Sequence, residues 1–206
     1  DLRLRPNGEN GLAVSSFDMF SRYQRNVDGN GAWLWEHQAL TRARFVAGDP
    51  DLGRKFEAER VAILREPRNR DALKVEVSAM RAKMLEGHPN SSGLFDLKHD
   101  RGGMVDVEFI VQYLVLGWSA EFPELVNNFG NILLLEMCAR LGLIDEASAA
   151  KAVLAYRRYR ALQHEIRLNA GEGVPARVPL DMAEAEREAV KTLWREVFGN
   201  DGPQRQ

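Results

Sequence analysis

The most apolar stretch of the chain follows two adjacent glycines and marks the centre of the predicted fold. Residues 95–98 alternate apolar and polar side chains, which is the period of an extended segment. The pair Gly102-Gly103 permits a tight turn that other residues resist. Beyond it, apolar residues at 109–116 cover almost the whole circumference of a helix. Such a helix is typically buried inside a bundle, and this one is too short to span a membrane.

Helical periodicity recurs along the rest of the chain. Asp49, followed by Pro50, and Asp145 each mark the start of a helix. Ser15 or Ser16 is expected to cap a short helix. The longer helical segments are predicted at 33–46, 50–66, 73–87, 132–141, 145–169 and 181–198, in addition to the apolar central helix, whose first turn lies near Asp106 and Glu108. About seven helices joined by short loops favour a mainly α fold, a helical bundle.

The first residues follow a different period. Residues 1–5 alternate charged and apolar side chains, Pro6 ends this strand, and 12–14 can return as a second strand. The sequence therefore predicts a small β-hairpin at the N-terminus. We expect three regions: 1–25 with the hairpin, 26–200 as the helical bundle, and 201–206 as a disordered tail.

Composition narrows the class of protein. The 206 residues are 45% hydrophobic and 28% charged, as in an ordinary globular protein. A net charge of -2 argues against nucleic-acid binding. No signal peptide or transmembrane pattern is found, and the single Cys138 suits a reducing compartment, so the sequence predicts a cytoplasmic protein without membrane association. Because the chain opens inside a strand without an initiator Met, we expect it to be part of a longer protein.

Two groups of side chains are candidates for chemistry. Asp1, Arg3 and Arg5 share one face of the first strand. The carboxylate can hold a divalent metal and the arginines can neutralise phosphate, although a solvated strand edge has the same pattern.

Asp106 and Glu108 lie at the start of the central helix, with Lys98 and Arg101 upstream. Two positions apart on a helix, they point roughly 200° from each other, so they are not expected to chelate one ion. The alternative is helix capping with a surface ion pair.

Three sequence blocks together resemble one family. They are Asp-Leu-Arg-Leu-Arg-Pro-Asn-Gly, Trp-Leu-Trp-Glu-His-Gln-Ala-Leu-Thr-Arg-Ala-Arg, and Lys-His-Asp-Arg-Gly-Gly-Met-Val-Asp-Val-Glu-Phe-Ile-Val-Gln-Tyr. In this order they look like glutamine synthetase adenylyltransferase, a bifunctional bacterial enzyme that also removes the adenylyl group. The resemblance runs from residue 1 to about 198 and is greater to the C-terminal, adenylylating half.

The resemblance implies a nucleotidyltransferase sheet joined to a helical bundle. ATP would donate AMP to a tyrosine of glutamine synthetase, with Mg²⁺ held by carboxylates. Asp1 matches a metal carboxylate with a catalytic role, and Arg3 and Arg5 match an adjacent phosphate-binding pair. Lys98, Asp106 and Glu108 fall in the glycine-containing block and are expected to serve nucleotide binding. The resemblance further implies glutamine synthetase and a PII regulatory protein as partners.

Other interpretations remain open. The family's Gly-Ser-x-x-Asp-x-Asp motif is absent from this sequence, so we expect the chain alone to be inactive in AMP transfer. A non-catalytic helical module that docks glutamine synthetase or a PII-type regulator is one alternative. A related uridylyltransferase is another, against which the Trp-Glu-His-Gln block argues.

Overall fold

The computed structural model describes residues 14–170 and 173–199. The predicted N-terminal hairpin, the candidate residues Asp1, Arg3 and Arg5, and the predicted tail lie outside these residues. Within them the chain is mainly α, as predicted. The α-helices are α1 Phe17–Gln24, α2 Leu34–Leu40, α3 Pro50–Leu64, α4 Arg70–Glu86, α5 Met104–Trp118, α6 Gly130–Arg140, α7 Glu146–Ala170 and α8 Glu184–Phe198. Two strands, β1 Phe95–Asp96 and β2 Arg177–Val178, pair antiparallel, with Phe95 opposite Val178.

The chain divides into two compact units, Asp1–Leu73 with Val115–Asn128 and Lys74–Leu114 with Phe129–Gln206. In the first unit, α1 and α2 each pack against α3. The buried Arg60 of α3 donates to the carbonyl oxygens of Leu40 and Val126, at 3.4 and 2.9 Å. Ser119 donates to the carbonyl oxygen of Leu64 at 2.6 Å. These contacts satisfy carbonyl groups that the ends of the helices leave without intrahelical partners.

In the second unit, α7 packs against both α6 and α8. The central helix α5 is buried along almost its whole length, as its unbroken apolar pattern predicts. The sheet joins the segment before α5 to the segment after α7. None of the helices within the described ranges is long and apolar enough to cross a membrane.

The predicted helix starts are largely confirmed. Ser16 accepts a hydrogen bond from the backbone N–H of Met19 at the start of α1. Asp49 accepts from the N–H groups of residues 51 and 52, with Pro50 at the first position of α3. The Asp145 carboxylate accepts from the N–H of Ser148 at the start of α7. Each cap satisfies a backbone donor that a helix start leaves free.

Two local predictions about the first unit are wrong. The helix expected to reach Val46 ends at Leu40. Phe45 contacts α3 instead: its N–H donates to Glu57 at 3.0 Å, and its ring packs against Gly53. Leu52, which the apolar period of the 50–66 segment predicts to face inward, is 50% exposed. The buried position next to it is Gly53, where an added Cβ would lie 2.7 Å from the Phe45 ring. The pattern of hydrophobic residues does not reveal a glycine that packs against an aromatic ring.

The turn before α5 requires both glycines. Gly102 has a φ of +85°, and a Cβ there would lie 2.8 Å from the carbonyl oxygen of Arg187. A Cβ on Gly103 would lie 2.9 Å from the carbonyl oxygens of Leu97 and Asp100. The backbone therefore approaches its neighbours more closely than any other residue allows.

We predict that Gly102→Ala destabilises the second unit more than Gly130→Ala does. Gly130 also has a positive φ, +78°, but an added Cβ there meets nothing within 4 Å. Its substitution should lower the free energy of unfolding by about 1–2 kcal/mol for the left-handed backbone alone. Gly102→Ala should lose about 1–3 kcal/mol more because of overpacking. Chemical denaturation of both variants measures this, and equal losses would contradict the close approach.

Candidate functional site

The Asp106 carboxylate is the centre of a buried polar cluster. Its Oδ1 accepts a hydrogen bond from Arg81 Nε at 2.6 Å, and its Oδ2 accepts from the Gly102 N–H at 2.6 Å. The side chains of Arg81 and Asp106 are 0% and 1% exposed. Burial raises the pKa of the Asp106 carboxyl, and the Arg81 guanidinium and the Gly102 N–H act against this shift. The Asp106 carboxylate thus bonds a backbone N–H of the turn before α5, and its ion pair is buried rather than at the surface.

Arg81 extends this cluster to the segment before the turn. Its Nη2 donates to the carbonyl oxygen of His99 at 2.7 Å. Its Nη1 is buried and has no hydrogen-bond partner among the described residues. The guanidinium thus joins α4 both to the 99–100 segment and to the start of α5, and its charge is balanced by Asp106. A planar fork of donors suits this task better than an ammonium group would.

Tyr159 of α7 holds the turn from the other side. Its hydroxyl donates to the carbonyl oxygen of Gly102 at 3.0 Å, and its ring lies 5.7 Å from that of Phe95. Tyr159 is fully buried, and burial raises the pKa of its hydroxyl. Both backbone polar groups of Gly102 are therefore bonded, its N–H to Asp106 and its C=O to Tyr159. This fixes the orientation of the turn.

Glu108 takes part in a different contact. It is half-buried and accepts from the Tyr156 hydroxyl at 3.2 Å, while Asn131 donates to the same hydroxyl at 2.8 Å. These partners come from α7 and α6, whereas those of Asp106 come from α4 and the turn. The structure thus separates the two carboxylates, as their spacing on a helix predicts.

Lys98 lies at the border of an open pocket of about 590 Å³. Its backbone is fixed by Asp96, whose Oδ1 accepts from the N–H groups of Lys98 and His99, both at 2.9 Å. Its side chain is exposed and forms no ion pair with the described residues. The other charged or titratable side chains around the pocket are His88, Asp96, His99, Arg167 and Arg177. Of the three described residues predicted to bind nucleotide, Lys98 alone borders this pocket.

Two polar residues of the Trp-Glu-His-Gln block, Glu36 and His37, have structural partners. Glu36 accepts from the Trp33 N–H at 2.8 Å and from the Tyr23 hydroxyl at 3.0 Å, closing the start of α2. His37 Nε2 contacts the carbonyl oxygen of Gln24 at 3.1 Å, and burial lowers the pKa of its imidazole. The described part of the chain contains no cluster of three His, Cys, Asp or Glu that could hold a metal ion. The described residues therefore do not fit a Mg²⁺ site, and Asp1, the predicted metal ligand, lies outside them.

Arg81 is the residue that sequence reasoning missed at this site. It lies four positions after Val77 on the stripe formed by Leu73, Val77 and Met84, where an apolar residue is expected. A charged side chain on a buried stripe is almost always paired. This signal could have predicted a partner for Arg81, but nothing in the pattern identified Asp106 as that partner.

We predict that Asp106→Asn lowers the free energy of unfolding by about 3–5 kcal/mol, because it leaves the Arg81 charge buried and uncompensated. The exposed Asp71→Asn in the first turn of α4 is the matched control and should change it by less than about 1 kcal/mol. The double variant Arg81→Met with Asp106→Asn should recover part of the loss, since no charge is then buried. Denaturation curves of the three variants measure this. A double variant that is no more stable than Asp106→Asn alone would contradict the pair.

Comparison with known proteins places these features in a family. The family model described as glutamate-ammonia ligase adenylyltransferase matches residues 1–59, and the one described as GlnD PII-uridylyltransferase matches residues 74–191. The second match covers the glycine turn, the Arg81–Asp106 pair, all of α7 and the first half of α8.

Curated relatives match nearly the whole chain. Proteins named bifunctional glutamine synthetase adenylyltransferase/adenylyl-removing enzyme are 52% identical in Nitrosomonas eutropha, 55% in Burkholderia mallei and 56% in Ralstonia nicotianae, each over 97% of the chain. The chain spans about a fifth of the length of these relatives, 21–22%. By these matches the chain belongs to the family of bifunctional glutamine synthetase adenylyltransferases/adenylyl-removing enzymes, with a helical part of the kind found in PII-uridylyltransferases.

Proposed function

We propose that this chain is part of an enzyme that transfers AMP from ATP to a tyrosine of glutamine synthetase and so regulates nitrogen assimilation. The observation that carries the proposal is the identity of 52–56% over 97% of the chain to enzymes named for this activity. In the transfer, the tyrosine oxygen forms a bond to the α-phosphorus of ATP while the bond from that phosphorus to the bridging oxygen breaks. Pyrophosphate leaves, and the phenol proton is released.

In this proposal some residues contact the metal or the phosphates of ATP, and others hold these residues in position. Asp1 is assigned to the metal-binding carboxylates, and Arg3, Arg5 and Lys98 are assigned to the phosphates of ATP. Lys98 suits this role because its side chain is exposed at a pocket and forms no ion pair with the described residues. An ammonium group of this kind can bind a phosphate as a point charge.

Asp106 and Glu108 are assigned supporting roles on the nucleotide side. Both oxygens of Asp106 bond within the protein, to Arg81 and to the Gly102 N–H. Asp106 therefore acts by positioning the turn that follows Lys98, since rigid placement of a binding group contributes to catalysis. Glu108 accepts from Tyr156, and it can exchange this contact for a nucleotide hydroxyl.

The chain alone is proposed to be inactive, because its sequence lacks the Gly-Ser-x-x-Asp-x-Asp motif of the family. A second candidate function is non-catalytic docking of glutamine synthetase or a PII-type regulator. It is favoured by the internal engagement of Asp106, whose two carboxylate oxygens both bond within the protein.

We predict that Lys98→Gln, made in the full-length protein that carries this segment, raises KM for ATP by about tenfold through loss of a charge-assisted contact. Its melting temperature should not change, because the side chain is exposed. Lys83→Gln, an exposed lysine of α4, is the matched control and should leave KM unchanged. AMP transfer to glutamine synthetase in the presence of Mg²⁺ is the assay.

Further experiments distinguish AMP transfer from the uridylyltransferase and docking alternatives. The 206-residue chain alone should give no AMP transfer, and turnover above background would refute its proposed inactivity. Replacing ATP and glutamine synthetase by UTP and a PII protein should abolish the reaction; transfer of UMP would instead support a uridylyltransferase. Binding of glutamine synthetase without any transfer by the full-length protein would support the docking function.

A further inference from the structure

The pocket beside Lys98 is built from four separate parts of the second unit. His88 follows α4, Lys98 and His99 follow β1, Arg167 lies near the end of α7, and Arg177 is in β2. We refer to these five residues as the basic pocket. Its volume of about 590 Å³ lies within the range of small-molecule sites, roughly 300–1,000 Å³.

The charge around this pocket is strongly one-sided. Asp96 is the single carboxylate among its described lining residues, against the permanent positive charges of Lys98, Arg167 and Arg177. Asp96 is 8% exposed and already engaged, since its Oδ1 accepts two backbone N–H groups and its Oδ2 lies 3.8 Å from Arg177 Nε. No ion pair to Lys98 or Arg167 is formed by the described residues. A concave surface with this surplus of positive charge concentrates anions.

Two imidazoles add a titratable cation to the same pocket. The rings of His88 and His99 are stacked, with centroids 4.0 Å apart and planes at 11°. His88 Nδ1 donates to the carbonyl oxygen of Met84 at 2.8 Å, which fixes that ring. Burial, together with the neighbouring His88, lowers the pKa of His99. A bound anion would favour the protonated form of His99.

The rest of the lining suits an organic phosphate. Pro89, Val174 and Pro175 provide apolar surface beside the charged groups. An arginine and a lysine that converge on one pocket match the oxygens of a phosphate chain, because an arginine binds two of them at once. A pocket with a few polar groups on apolar walls is the usual form of a small-molecule site.

We propose that the basic pocket binds the phosphate chain of a nucleoside polyphosphate, with Lys98, Arg167 and Arg177 as its phosphate-binding residues. The identification of this nucleotide as ATP rests on the proposed function. The binding of a phosphate chain is inferred from the pocket alone. Pyrophosphate, which the proposed transfer releases, carries the same chemistry.

Isothermal titration calorimetry of the 206-residue chain tests this in low salt with a chelator, which excludes any metal-dependent contribution. We expect ATP and pyrophosphate to bind and adenosine not to bind. Tighter binding of ATP than of pyrophosphate identifies the nucleotide as the ligand, and the reverse order identifies the product. No heat with either compound at millimolar concentration would overturn the proposal.

Variants on one helix provide the matched control. Arg167→Gln should weaken the binding of ATP and pyrophosphate by about tenfold. Arg160→Gln removes an exposed arginine two turns earlier on α7, outside the pocket, and should leave the affinity unchanged. Equal weakening by both variants would mean that only the overall charge matters, and would overturn the pocket. Circular dichroism checks that both variants remain folded.

The same variants distinguish failure of this inference from failure of the proposed function. Suppose that Arg167→Gln abolishes the binding of ATP and pyrophosphate, but the full-length protein transfers no AMP. This result supports the basic pocket and refutes the proposed AMP transfer. AMP transfer with an unchanged KM for ATP in Arg167→Gln, together with no pyrophosphate binding by the chain, refutes the pocket and leaves the function intact.

Discussion

The buried pair of Arg81 and Asp106 is the interaction on which the second unit depends. Two opposite charges that are almost completely removed from water are tolerated when they pair and the protein supplies most of their hydrogen bonds. Here the guanidinium also binds the backbone of His99, and the carboxylate also binds the N–H of Gly102. The pair therefore sets the path of the chain from β1 into α5.

The consequence of this constraint is a rigid frame for an otherwise exposed group. The Gly102 carbonyl is held by Tyr159, and Asp96 fixes the backbone at Lys98. Lys98 itself stays exposed at a pocket that other parts of the second unit complete. The backbone of Lys98 is held in place while its ammonium group stays exposed. The proposed binding of a phosphate relies on this combination.

How much of this arrangement the sequence predicts depends on how local each feature is. The caps at Ser16 and Asp49 and the burial of α5 follow from neighbouring residues, so residue type and period were sufficient. The pairing of β1 with β2 joins two-residue strands about eighty positions apart, which no local pattern indicates. Lys98 was identified from the resemblance, but its neighbours Arg167 and Arg177 come from distant segments and had no sequence signal. Arg81 broke the apolar stripe of α4 without revealing its partner.

Amide hydrogen exchange at Gly102 tests most directly whether the buried pair fixes the turn. Its N–H donates to the buried Asp106 carboxylate, so it should exchange only when the second unit opens. We predict exchange at least about 10³-fold slower than at Gly93, an exposed loop glycine, after correction for intrinsic rates. Exchange at Gly102 as fast as at Gly93 would mean that the turn opens freely and would contradict this account.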